Sequence, residues 1–373
     1  MRLPIYSGSI AALPSLSERW LAGALPGPLP AEERATCGSC ALAPPEGVPH
    51  VAGGPFFHPS LKCCTFVPWL PNFAVGGALR GAPEGARRVQ ARIAQGGGLT
   101  LLGLEETARE ALLAREGRAG FGHARALACP YVAGEGSCSV WAHRNAVCAT
   151  WFCRFTRGET SARLWRAAKL YLSAAERAVA THCALRLEPG DEALALLADP
   201  PRGLLDAHQV DDEQDPALAR RRWGRWHGRE AEFFLACAEE ASGVDCARLR
   251  ELGGVSLLAF SLALRAAWRP LEDEGLPERT ALGSLRVVSF AGDSVTVEGY
   301  SPYDLVELPS ALVELLPFFD GAPVEEARAR ALEERGVDVE PGLVRRLLDL
   351  AILVPAGSST SRESADSVTG RGL

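Results

Sequence analysis

The stretch from Cys129 to Cys153 reads CPYVAGEGSCSVWAHRNAVCATWFC and sets Cys129, Cys138, Cys148 and Cys153 within 25 residues. No other feature of the chain constrains it as strongly. Thiols this dense are a ligand set and not a random scatter. The N-terminal MRLPIYSGSI lacks a charged segment followed by a continuous apolar core, so no export signal is expected and the compartment is read as cytoplasmic. A reducing cytosol keeps thiols unpaired, which makes metal or iron–sulfur ligation the leading reading of the group and disulfides the weaker one.

The chain has 373 residues, 47% apolar and 23% charged, enough for two folded domains. The net charge of −7 gives no global basic field, so neither nucleic acid nor anionic lipid is expected as a partner. All the basic residues except Lys62 and Lys169 are Arg, a bias that carries no functional weight. The longest apolar run, Val255 to Leu264, is about half the length of a bilayer span, so no membrane segment is expected.

Taken in order, residues 1–36 are expected to be an irregular lead-in with one amphipathic piece, Leu13 to Leu25. Cys37-Gly-Ser-Cys40 follows, a turn that lets two thiolates converge on one metal. Cys63 and Cys64 then stand side by side in an aromatic and proline-rich stretch, where an extended chain would point them to opposite faces. Helices are expected over 84–95 and 104–116. Another follows along Leu164, Ala168, Tyr171, Leu172, Ala175 and Val179, and two more run from Pro216 to Ala241 and from Cys246 to Trp268. Residues 284–290 and 294–299 alternate around Ala291-Gly-Asp as a hairpin, and short helices are expected over 309–319, 324–335 and 341–350. The fold class is therefore mainly α. A helical cysteine-cluster domain over 1–275 is followed by a small α+β domain over 276–356, and the polar tail 357–373 reads as disordered.

The residues carry a resemblance. Cys129-Pro-Tyr, Cys138-Ser-Val-Trp, His143-Arg-Asn-Ala-Val-Cys148 and Trp151-Phe-Cys153 resemble the second half of the YkgJ-type cysteine cluster family, a zinc- or iron-chelating domain whose first half reads Cys-x-x-Cys-x-x-Cys-Cys. On that resemblance the first half here is Cys37, Cys40, Cys63 and Cys64, although 22 residues separate Cys40 from Cys63. The flagellin lysine methylases share this cysteine pattern and imply iron–sulfur chemistry on a protein substrate. Residues 284–356, with the Phe318-Phe-Asp-Gly321 turn, resemble a PqqD-type winged helix, which implies a peptide or protein partner added along the hairpin edge.

The expected metal ligands are thus Cys37, Cys40, Cys63, Cys64, Cys129, Cys138, Cys148 and Cys153, enough for two four-ligand sites. Cys183, Cys237 and Cys246 are expected to pack in the core. An iron–sulfur cluster is favoured over zinc, because Phe66, Trp69, Trp141, Trp151 and Phe152 would supply a water-excluding shell. His143 and Arg144 are candidates to contact the cofactor. His58 is a spare ligand candidate, and His182 is read as a core histidine. No phosphate loop, Ser/His/Asp arrangement or paired carboxylates stand out. Three functions remain open: a metal-binding protein whose cluster is structural, sensory or electron-transferring; an iron–sulfur enzyme that modifies a protein or peptide; and a zinc-stabilised interaction module.

Overall fold

Helical periodicity dominates the sequence, and helices dominate the fold, with small sheets added. A computed structural model describes residues 13–34, 40–116, 120–134, 136–198, 216–273 and 275–357. Cys37 and the tail from 358 onward lie outside the described residues. Two compact units emerge. The first comprises 1–29, 36–151 and 168–262, and the second 30–35, 152–167 and 263–373.

The helices are α1 (Ser15–Ala24), α2 (Asn72–Arg80), α3 (Pro83–Gln95), α4 (Ala108–Glu116), α5 (Ala146–Thr150), α6 (Gly158–Arg186), α7 (Asp191–Ala198), α8 (Pro216–Trp223), α9 (Glu230–Ser242), α10 (Cys246–Glu272), α11 (Ser310–Val313), α12 (Val324–Arg335) and α13 (Pro341–Asp349). The strands are β1 (Leu70–Pro71), β2 (Leu99–Thr100), β3 (Gly103–Leu104), β4 (Val132–Ala133), β5 (Ser137–Cys138), β6 (Thr280–Leu282), β7 (Arg286–Ala291), β8 (Ser294–Glu298), β9 (Val306–Pro309) and β10 (Leu353–Pro355). They form sheets ordered β1-β3-β2, β4-β5, β7-β8-β9 and β10-β6, with every recorded pairing antiparallel.

The first unit is built around a close pair of helices. A Cβ on Gly76 of α2 would sit 1.9 Å from the carbonyl oxygen of Phe234 in α9, so only glycine lets the two backbones approach this closely. Trp223, Phe233 and Phe234 are buried beside that contact, with Trp223 edge-on to both phenylalanines at 5.5 and 5.7 Å. Asn72 is also buried; its amide donates to the carbonyls of Leu101 and Ala180 at 2.9 and 2.8 Å, tying the start of α2 to the β2–β3 turn and to α6. No sequence period announced α2, because a helix packed through glycines carries little apolar stripe.

Two expected helices differ in form. The one read over 216–241 divides at Gly224 and Gly228, whose φ values of +49° and +77° lie in the left-handed region that ends helices. A Cβ on Gly224 would also meet the carbonyl oxygen of Pro189 at 1.9 Å. The one read from 246 extends to Glu272, with non-helical backbone at Gly254. Among the described residues, α10 is long and apolar enough to cross a membrane by length and composition alone, and it exposes Val255, Leu258 and Leu262.

The second unit has its own core of Val295, Val297, Leu308, Phe319, Val324, Val344, Leu347 and Ile352. Strand β8 alternates inward and outward, whereas the edge strand β7 is exposed along its length. A single division near residue 275 was expected, yet 30–35 and 152–167 also belong here, held by buried ion pairs that leave no periodic trace in sequence. Asp304 is 1% exposed and takes both guanidinium nitrogens of Arg34 at 2.7 Å, while Asp349 accepts from Arg157 and from Thr160 Oγ1. Such bidentate pairs fix geometry as well as charge.

Candidate metal centre

The chain around Cys63 and Cys64 is not extended. The amides of Leu61 and Lys62 both donate to the His58 carbonyl, Cys64 N–H donates to Leu61, and Lys62 takes a positive φ of 54°. This turn overrides the opposite-face geometry expected of neighbouring residues, and the two thiols hydrogen-bond to each other. A non-glycine residue in left-handed backbone costs on the order of 1 kcal/mol, which the surrounding hydrogen bonds must offset.

The other thiols arrive on three further pieces of local structure. Cys129 donates its N–H to the Cys64 carbonyl at 2.8 Å, so the two segments run side by side. The β4–β5 hairpin then turns through Gly134 and Gly136, both at positive φ, and returns Cys138 to a position opposite Val132. Cys148 rides on the short helix α5, where Asn145 Oδ1 caps the first turn by accepting from Cys148 N–H at 3.0 Å. Beneath that turn the buried Glu176 carboxyl group of α6 accepts from the Ala146 N–H.

Electrostatics shows how near these thiols lie. Burial pushes Cys129 and Cys148 up. The Cys64 and Cys138 sulfurs raise both further, and Cys129 and Cys148 are themselves close enough for Cys129 to raise Cys148. Cys64 moves the other way, because the Cys63 thiol, Lys62 and Arg144 favour its thiolate. Cys63, Cys64, Cys129, Cys138 and Cys148 are all partly buried. The group therefore contains one thiol, Cys64, whose thiolate is favoured beside two, Cys129 and Cys148, whose ionisation burial opposes.

Arg144 sits at this group. Its guanidinium lies 3.4 Å from the Trp141 ring centroid, donates to the Trp141 carbonyl at 3.0 Å and reaches the Cys148 carbonyl, and its charge lowers both Cys64 and Cys148. His143 lies against Gly77 of α2 and Gly81 just past its end. Cys40 is partly buried in the first unit, and Cys153 belongs to the second unit. Of the expected aromatic shell, Trp69 faces Arg177, Trp151 packs edge-on to Phe121, and Phe152 belongs to the second unit, where it packs on Trp165. His182 contacts Glu240. Among the described residues, no three Cys, His, Asp or Glu side chains already converge as a metal-binding set.

Lys62 and Glu176 escaped the sequence reading. A lysine next to a cysteine pair was a visible signal, whereas Glu176 looked like any polar position on a long helix. The chain matches no protein-family profile, no curated protein and no solved structure.

Proposed function

We propose that the chain is a cytoplasmic metalloprotein of the YkgJ type that binds an iron–sulfur cluster or zinc through Cys63, Cys64, Cys129, Cys138 and Cys148. What supports this reading is that Cys64, Cys129, Cys138 and Cys148 come from separate segments, with the Cys129 N–H on the Cys64 carbonyl at 2.8 Å and Cys138 opposite Val132 in the hairpin, and that they act on one another's ionisation. Packing alone has no use for such a group, since one buried thiol fills a gap as well as five. A thiolate donor set suits both zinc and iron–sulfur clusters. Arg144 would offset the negative charge that several thiolates bring, and Asn145 and Glu176 would hold α5 in place so that Cys148 keeps its direction. The metal, when bound, would supply either a structural crosslink or a redox couple.

The alternative of an iron–sulfur enzyme acting on a protein or peptide draws on the second unit. Among the described residues, strand β7 pairs only with β8, and Val287, Val288 and Phe290 are exposed at 50%, 42% and 77%. An edge of this kind leaves backbone donors and acceptors open to an added strand, which fits a PqqD-like peptide grip.

Elemental analysis with a visible spectrum of anaerobically purified protein tests the reading. Iron with broad visible absorption assigns a cluster, zinc in a colourless protein assigns a structural site, and neither metal near one equivalent per chain contradicts the proposal.

A further inference from the structure

Histidines form a group of their own. His50 Nε2 stands 3.3 Å from His123 Nδ1, and the His50 ring centroid is 5.0 Å from that of His58 and 5.5 Å from that of His123. Ser60 Oγ lies 3.0 Å from His58 Nδ1, and Arg125 Nε donates to His58 Nε2 at 3.3 Å. The Ser60 N–H also donates to His58 Nδ1 at 3.3 Å, so N–H donors face both ring nitrogens, and a ring protonated on both has no lone pair left for either. The contact between His50 and His123 likewise needs a lone pair on one side. It tolerates one proton between the two rings and not two.

The group joins two stretches of chain. Phe57 N–H donates to Leu42, His58 N–H to Gly122, and Gly122 N–H to Thr65 Oγ1, each at 2.7 Å. Phe57 packs edge-on to His123 and closes over Gly122, where a Cβ would meet its ring at 2.2 Å. The charged groups that act on His58 are Arg125, His50 and His123, and the one that acts on His123 is His50. Every one of them is cationic or becomes so in acid.

We propose that His50, His58 and His123, with Arg125, form an acid-sensitive clasp that fastens the 50–62 segment to the 120–125 segment and loosens when the imidazoles take up protons. Burial and the neighbouring positive groups hold His58 and His123 below the usual histidine range. The opened segments therefore bind more protons than the closed ones, and closure weakens as pH falls through the ordinary histidine value of about 6.5. The clasp needs no metal, so it stands or falls separately from the thiol reading.

Hydrogen exchange tests it directly, followed from pH 7.5 to 5.0 at the amides of Phe57, His58 and Gly122, corrected for intrinsic exchange, with the α9 amides as an internal reference. Protection of the three is expected to fall relative to α9 as the pH drops, by about twofold or more, since each lowered histidine adds proton uptake to the open state. His50→Gln with His123→Gln should remove most of that slope. Arg125→Gln, at an exposed position, should make it shallower even if the double variant fails to fold. Equal slopes in wild type and in a folded variant, or protection that follows α9 throughout, would overturn the clasp.

Discussion

Two sets of cysteines in the first unit show how differently one side chain can be used. Cys183 and Cys237 sit on facing helices, α6 and α9, both fully buried, and the Cys183 thiol donates to the Cys237 carbonyl at 3.5 Å. Burial and the adjacent thiol push Cys237 up, so it stays neutral and behaves as a small apolar residue. Cys63, Cys64, Cys129, Cys138 and Cys148 are instead carried by a turn, a hairpin and a five-residue helix, with Arg144 and Lys62 acting on them. Adjacent residues on a helix point away from each other, so a long helix could not set a vicinal pair such as Cys63 and Cys64 side by side. Irregular backbone is what brings Cys129 onto the Cys64 segment, through its N–H on the Cys64 carbonyl.

Disrupting the helical set should cost stability and leave the thiol group's chemistry alone. Phe233→Ala removes a fully buried ring wedged against Trp223 and Trp226 and is expected to destabilise by about 3–5 kcal/mol in urea unfolding. Metal per folded chain should not change, and a parallel loss of metal would show the two regions to be one.

Glu176 links the two sets, because it stands on α6 and holds the turn before Cys148. Burial raises its carboxyl to about 8. Between pH 4.5 and 8 the folded chain then keeps a proton that the unfolded chain releases, so stability should decline as pH rises through that window. The decline is about 3 kcal/mol from pH 5 to 7.5, and Glu176→Gln should flatten it. A wild-type stability that is level or rising over that range would contradict the assignment.

Gly76→Ala sharpens the contrast from the packing side. The added methyl meets backbone of α9 and should cost about 1–3 kcal/mol in thermal or urea unfolding. The smallest effect is expected at Arg330→Ala, which removes an exposed i,i+4 pair with Glu334 and a guanidinium 5.0 Å from the Phe318 ring centroid, together worth about 1 kcal/mol. A larger loss there would mean that surface pairs, and not the core, hold the second unit.

Much of this architecture could be read from residue order, and the failures share a cause. The helices α3, α6, α12 and α13 and the β7–β8 hairpin follow from periodicity and from Pro and Gly at their ends, as Pro83 and Gly96 do for α3. The helix α2 and the break at Gly224 stayed hidden because each depends on a backbone from elsewhere, Phe234 in one case and Pro189 in the other. Thiol count and spacing pointed to Cys129, Cys138 and Cys148. The contact between the Cys63 and Cys64 thiols, and the positions of Lys62 and Glu176, come from a turn and a buried helix face that spacing does not encode.

The central claim is that the loop-borne thiols form a ligand set and the helical pair does not. Its most direct test is metal content per chain in four variants purified side by side under anaerobic conditions: Cys64→Ser, Cys148→Ser, Cys183→Ala and Cys237→Ala. The account expects the first two to lose iron or zinc by about tenfold or more while staying folded by circular dichroism, and the last two to keep the wild-type content. Equal retention in all four, or a loss confined to Cys183→Ala and Cys237→Ala, would contradict it.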